Sequence, residues 1–227
     1  MINKYSQHKF SVLLPFVVFL VASIFFFTYP KGEVVLLLNK LHSPFLNIVF
    51  KKLSSVGNTL SIFLFLLIVL RFKLKYLYFF VLAFAIESFV VILCKHLIFD
   101  GTFRPYLFFK EQGLLNTLDF VQGVKIRKTD SFPSGHTAYS FFIATFFALK
   151  LNKINTAIVI FLFASLIGIS RMYLVQHFFV DVFTGAIVGV LTTCIAYVLV
   201  FRTEKSWYNY RLTINPKKEE FIVLIND

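Results

Sequence analysis

Charge is scarce in this sequence. Asp, Glu, Lys and Arg make up 15% of its 227 residues, where a soluble domain carries about 25%. Acids are scarcer still, with 11 Asp and Glu against 23 Lys and Arg, for a net charge of +12. The only cysteines, Cys94 and Cys194, both lie in apolar runs. They read as packed thiols, which excludes a disulfide scaffold. Nine Gly and six Pro are too few for a low-complexity linker, and no internal repeat is visible. No clustered His, Cys or carboxylate set has metal-ligand spacing, so no metal and no other cofactor is expected. No basic stripe lies on a soluble module, so no nucleic-acid partner is expected.

Apolar residues are plentiful. They account for 58% of the chain, aromatics for 19%, and 32 residues are Phe; mean hydropathy is +0.79. The length is best spent on spans of about 20 residues each. The expected fold is an all-α polytopic membrane protein with six transmembrane helices, at 11–28, 53–70, 76–98, 134–151, 154–170 and 178–201. The basic start at Lys4 and Lys9 is like that of a signal sequence, but the apolar run is long and no small-residue cleavage pattern follows. Segment 33–52 is apolar yet broken by Asn39, Lys40, His42, Pro44 and Asn47, and reads as a short interfacial helix. A long polar extracytoplasmic loop, 99–133, separates the third and fourth spans. One membrane domain, 1–201, is thus followed by a polar cytoplasmic tail, 202–227, with Trp207, Tyr208 and Tyr210 as interface anchors.

The tight loops carrying Arg71, Lys73 and Lys75, and Lys150 and Lys153, are dense in positive charge. Short basic loops decide topology, so both termini are expected on the cytoplasmic side. A bacterial inner membrane is the expected location, with the opposite, periplasmic face carrying the site described next.

A charge at the centre of a spanning helix costs about 2.5–3.5 kcal/mol on the insertion scale, so charges in or beside spans are candidates for function. Four places qualify: Lys95 closing the third span, Pro133-Ser134-Gly135-His136 opening the fourth, Ser170-Arg171 ending the fifth, and His177 with Asp181 opening the sixth. Six spans put all four on one membrane face. His177 and Asp181, four apart on a helix, share a side. The carboxylate can fix the imidazole tautomer and leave the other nitrogen free to attack, or the pair can simply steady the bundle. Ser134 and Gly135 at a helix start can offer N–H groups to phosphate oxygens, and His136 in the first turn can give a proton to a leaving oxygen; the same tetrad also reads as a helix cap. Arg104, Arg171 and Lys95 offer forks and a point charge for a dianion, or snorkel to headgroups.

In this order these residues resemble the type-2 phosphatidic acid phosphatase family, membrane lipid phosphatases that share their site with vanadium-dependent haloperoxidases. SRMYLVQHFFVD, starting at Ser170, matches the family's Ser-Arg, His and Asp spacing without a gap, and FPSGHT, starting at Phe132, matches its second motif. The first motif departs: eight residues, HLIFDGTF, separate Lys95 from Arg104-Pro105, where the family has six. The resemblance implies that His177 is the nucleophile, Asp181 its orienter and His136 the general acid. It also implies that Lys95, Arg104, Ser134, Gly135 and Arg171 hold the phosphate. The implied activity is metal-independent hydrolysis of a phosphate monoester or diphosphate on an amphiphile: phosphatidic acid, phosphatidylglycerophosphate, an isoprenyl diphosphate or a lipid A phosphate. A non-enzymatic lipid-binding or transport protein with the same basic interfacial pocket is the alternative.

Overall fold

The computed structural model describes residues 10–215 and 220–224. Lys4, Lys9 and the end of the tail lie outside the described residues. Among the described residues, and apart from short 3₁₀ turns, nine helices follow one another. They are α1 (Ser11–Thr28), α2 (Glu33–Asn39), α3 (Pro44–Val56), α4 (Ile62–Val69), α5 (Leu74–Ile98), α6 (Pro105–Glu111), α7 (Gly135–Leu151), α8 (Ile154–Tyr173) and α9 (Phe179–Phe201). Local chemistry sets their ends. Pro44 and Pro105 stand in the first turns of α3 and α6, where a missing N–H costs nothing. The Ser43 hydroxyl accepts from the Leu46 N–H at 3.2 Å and caps α3. Asn152, with φ +53°, closes α7 in the left-handed conformation. The last five residues of α5, Cys94–Ile98, form a π-helical turn, a distortion frequent at functional sites.

Among the described residues four helices, α1, α5, α8 and α9, are long and apolar enough to cross a membrane. Their outward faces carry large bare side chains such as Phe25, Phe89, Val159 and Leu199, the surface that lipid would cover. The remaining two expected spans look different. Helix α7 has 17 residues and is enclosed by α5, α8 and α9, with twelve of them buried. The expected second span, 53–70, is not one helix. Helix α3 runs through its first residues and stops at Gly57, and a 3₁₀ turn, Thr59–Ser61, leads into the eight-residue α4. A Cβ on Gly57 would stand 2.6 Å from Ile167 Cγ2, so packing on α8 requires glycine there. The break answers its own polar groups: Ser61 Oγ donates to the Val56 and Asn58 carbonyls at 2.7 Å each. The expected single interfacial helix over 33–52 is likewise two helices, α2 and α3, the second reaching past that segment. The all-α expectation also needs amending. The tail carries two antiparallel paired strands, Arg211–Asn215 with Glu220–Leu224, and Tyr208 is a buried residue packed on Tyr78 rather than an interface anchor.

Helix α7 is the axis of the bundle. Its partner α9 approaches through Gly185 and Gly189. A Cβ at 185 would stand 2.6 Å from the Ser134 carbonyl, and one at 189 would collide with the Ala138 carbonyl and lie 2.8 Å from the Phe142 N. Small residues four apart let two backbones pack where lipid supplies no hydrophobic drive. Phenylalanines fill the space beside this contact. Phe79, Phe80, Phe142 and Phe146 are all buried, and the Phe79 and Phe146 rings lie 4.9 Å apart. Gly189→Val should therefore push α9 off α7 and destabilise the fold by about 1–3 kcal/mol. The check is a lowered thermal midpoint in detergent, with Val198→Ala on the exposed side of α9 as the neutral control.

Candidate active site

The site forms where α5 and α8 end and α7 and α9 begin. Lys95 stands in the π-helical turn, and its ammonium donates to the Asp130 carbonyl at 2.7 Å. Arg104, the residue before α6, is 3% exposed. Its Nε donates to the Thr129 carbonyl at 2.6 Å, its Nη2 to the Asp130 carbonyl at 3.0 Å and its Nη1 to the Gln176 carbonyl at 2.9 Å. Nη1 also lies 3.0 Å from His177 Nε2. A guanidinium only donates, so this contact assigns the lone pair to Nε2 and the proton to Nδ1.

His177 is buried between α8 and α9. Its Nδ1 lies 3.4 Å from Asp181 Oδ2, ion-pair distance without the alignment of a hydrogen bond. Asp181 is itself held: Oδ2 accepts from Ser131 Oγ at 2.5 Å and from the Phe178 N–H at 2.8 Å. Burial, then the charges of Arg104, Arg171 and Lys95, push the His177 imidazole well below its ordinary range, so it is neutral. Burial and the neighbouring Arg127 lower Arg104 to about 10, which leaves it charged at neutral pH. Just before His177, Val175 holds φ +57°, a strained conformation for a β-branched residue.

His136, half-buried in the first turn of α7, interacts electrostatically with Arg171, His177, Arg127 and Arg104. Ser134 is fully buried and caps α7; its Oγ accepts from Thr137 Oγ1 at 2.9 Å. Its N–H is spent on the Asp181 carbonyl at 2.9 Å. Of the tetrad's backbone donors that leaves the later ones for an anion. At Gly135 a Cβ would meet only Val91, at an unstrained 3.6 Å, so protein packing does not demand glycine there. Arg171, 6% exposed, donates through Nη1 to Ser54 Oγ, while its Nε is buried with no hydrogen-bond partner among the described residues. A buried orphan donor calls for an acceptor that binding would supply. Direct contacts thus link Arg104 to His177, His177 to Asp181 and Ser134 to Asp181, while Lys95 and Arg104 share the Asp130 carbonyl.

Several of their supports were not singled out. Ser131 holds Asp181, and Arg127 joins Lys95, Arg104, Lys125 and Lys128 around an open cleft of about 590 Å³. Arg127 sits in the basic run Lys125-Ile126-Arg127-Lys128, a signal visible in the sequence but read only as a polar loop. Ser54 on α3 gave no signal. It is one of several ties by which α2 and α3 brace the site. Asn47 Oδ1 accepts from Tyr173 Oη at 2.5 Å, and Asn39 and Lys51 bond the Asp119 and Gln122 carbonyls at 2.8 and 2.9 Å. Ser54→Ala would leave a second Arg171 donor without a protein partner. It should weaken inorganic phosphate binding about five- to tenfold by titration calorimetry, with Ser54→Thr retaining most of the affinity.

Parts of the chain are similar to known phosphatases. Over 96 residues the chain is 40% identical to the lipid A 1-phosphatase of Porphyromonas gingivalis, 40% of this chain and 21% of that one. Over 80 residues it is 41% identical to lipid phosphate phosphatase 1 of Arabidopsis thaliana, 30% of this chain and 24% of that one. The match thus spans about a quarter of the length of these curated relatives. Among solved structures, Aquifex aeolicus LpxE superposes with a TM-score of 0.63 at 29% identity, covering 74% of this chain and 94% of that one. The PAP2-type phosphatidylglycerolphosphate phosphatase of Bacillus subtilis shares the fold, with a TM-score of 0.59 at 22% identity, covering 87% of this chain and 98% of that one. The sequence profile of the PAP2 superfamily matches residues 73–205, from the start of α5 to beyond α9, and the chain belongs to that superfamily.

Proposed function

We propose that this membrane protein is a lipid phosphatase that removes phosphate from a monoester or diphosphate through a phosphohistidine at His177, without a metal. The observation that carries this reading is the buried His177 ring, with its Nε2 lone pair against Arg104 and its Nδ1 face toward Asp181. An imidazole kept neutral by its surroundings is an available nucleophile. The relatives supply the class of substrate: one is named for lipid A and others for lipid phosphates, and we extend that class to this chain.

In the first step His177 Nε2 attacks phosphorus and the bond to the leaving oxygen breaks. His136 gives its proton to that oxygen. Arg104 must release Nε2 for this attack, and its freed N–H turns to a phosphate oxygen. Arg171 Nε, Lys95 and the first N–H groups of α7 take the remaining oxygens and stabilise the charge as it shifts. In the second step His136 takes a proton from water, the hydroxide attacks phosphorus, and the N–P bond breaks to release phosphate and neutral His177. The guanidinium and ammonium groups supply the charge that a divalent ion would otherwise bring.

The same proposal includes six crossings. Helices α3 and α4 together make one crossing, broken at Gly57. Helix α7, about 25 Å long at 1.5 Å per residue, makes another inside a sheath of protein. The site then faces the periplasm of a bacterial inner membrane and both termini face the cytoplasm, with the basic turns at Arg71–Lys75 and Lys150–Lys153 at the other end of the bundle.

His177→Ala should abolish phosphate release from every lipid phosphate, with or without EDTA; turnover in that variant removes it as nucleophile. His136→Ala should slow a monoester about 10²–10⁴-fold and a diphosphate much less, because phosphate leaves without help from a proton more readily than an alkoxide does. The pH profile tests the electrostatics. A nucleophile held below the ordinary imidazole range stays unprotonated as pH falls through about 6.5. On a substrate that does not titrate there, kcat/KM should therefore hold level through that pH; an acid limb centred on it would put the proton on His177.

A further inference from the structure

A second cationic cavity lies at the far end of the same helices. It has a volume of about 460 Å³ and is walled by Arg71, Lys73, Lys75, Lys150 and Arg211, with Phe72, Tyr76, Phe201 and Asn209 completing it. Lys75 and Lys95 lie on one helix twenty residues apart, which at 1.5 Å per residue separates this cavity from the catalytic pocket by about 30 Å. That is the thickness of the hydrocarbon core, so the two cavities stand at opposite bilayer boundaries.

The cavity is built rather than being a scatter of surface lysines. Four separate stretches of chain meet there: the turn before α5, the end of α7, the end of α9 and the tail. The tail is tied down by backbone bonding, a bridge between Lys73 and Arg211 and a bond from the Leu74 N–H to the Tyr210 carbonyl at 2.8 Å. The ammonium groups are held against rings. Lys75, with its side chain 14% exposed, lies 4.5 Å from the Phe201 ring and 5.0 Å from Tyr208, and Lys150 lies 4.2 Å from Tyr76 and 4.8 Å from Phe72. Such contacts leave a cation able to accept an anion as well. Among the described residues no carboxylate lines the cavity, and Glu204 reaches Lys75 from the rim at 3.2 Å.

From this we propose a second lipid site: the cavity binds the phosphate headgroup of an anionic phospholipid in the leaflet opposite the catalytic pocket. Clustered cations against an aromatic floor suit a phosphodiester anion. Its place at the boundary, with Val81 and Leu199 bare at 50% and 53% exposure on the adjoining turns of α5 and α9, suits acyl chains that descend along the bundle. This site is independent of the reaction proposed above and would survive its failure.

The chain's single tryptophan, Trp207, reports on it directly. Its ring lies 4.7 Å from Tyr208, which Lys75 contacts. In nanodiscs, brominated phosphatidylglycerol should quench Trp207 at a much lower mole fraction than brominated phosphatidylcholine. The preference should fall about 30-fold in Arg71→Gln/Arg211→Gln, at about fivefold per charge removed. Arg71→Lys/Arg211→Lys should keep most of it, and Lys153→Gln/Arg202→Gln, which removes equal charge at the same end outside the cavity, should leave it intact. Unchanged helical circular dichroism and thermal midpoint verify that each variant is folded. Equal quenching by the two lipids, or an equal loss in the Lys153/Arg202 control, overturns the site in favour of a diffuse basic surface. Abolition of the preference by millimolar inorganic phosphate at matched ionic strength overturns the lipid and assigns the cavity to a soluble phosphate.

Discussion

The buried guanidinium of Arg104 organises one end of this molecule. Removing such a group from water is tolerable only if its N–H groups find acceptors in fixed directions. Four of its five donors are answered, by the carbonyls of Thr129, Asp130 and Gln176 and by the ring of His177. Those acceptors come from the long polar loop and from the turn between α8 and α9. Satisfying one arginine therefore folds the loop over the bundle end and sets the tautomer of a histidine. Lys95 shares the Asp130 carbonyl and extends the same network to the end of α5.

The bundle beneath supplies rigidity by close backbone contact. Where Gly185 meets the Ser134 carbonyl and Gly189 meets the turn at Ala138, the start of α7 is registered against the start of α9. That register sets His136, in the first turn of α7, within electrostatic reach of His177, which precedes α9. The strained Val175 and the π-helical turn at the end of α5 lie beside it, consistent with a site where neighbouring structure imposes local geometry. A neutral imidazole amid several cations is costly to charge, and the cations among themselves await an anion. The orphan Nε of Arg171 is the plainest sign of that.

The two ends of the bundle use positive charge differently. At the end that carries His177 the two arginines, Arg104 and Arg171, are buried and held by carbonyls, a serine and a histidine. At the other end lysines rest on aromatic faces around an open cavity. Both arrangements draw on the same excess of Lys and Arg, and the helices that link them have the length of a bilayer.

The sequence alone was sufficient for the helical membrane class, for helices α1, α5, α8 and α9 and for picking out the charged residues Lys95, Arg104, Arg171, His177 and Asp181, but not for Ser131, Arg127 or Ser54 beside them. The features it reached are properties of local patterning: apolar runs of membrane length, charges where they are costly, and i,i+4 spacing on a helix. Tertiary structure decided the rest. Whether Leu53 to Leu70 is one helix depended on how closely Gly57 must approach Ile167. Ser54 and Arg171 are 117 residues apart, and no periodicity links them. Likewise Ser131 became the support of Asp181 and Tyr208 a buried ring only when distant stretches of chain met. Such contacts depend on the complementary shapes of two surfaces, and a linear pattern records only one side of each.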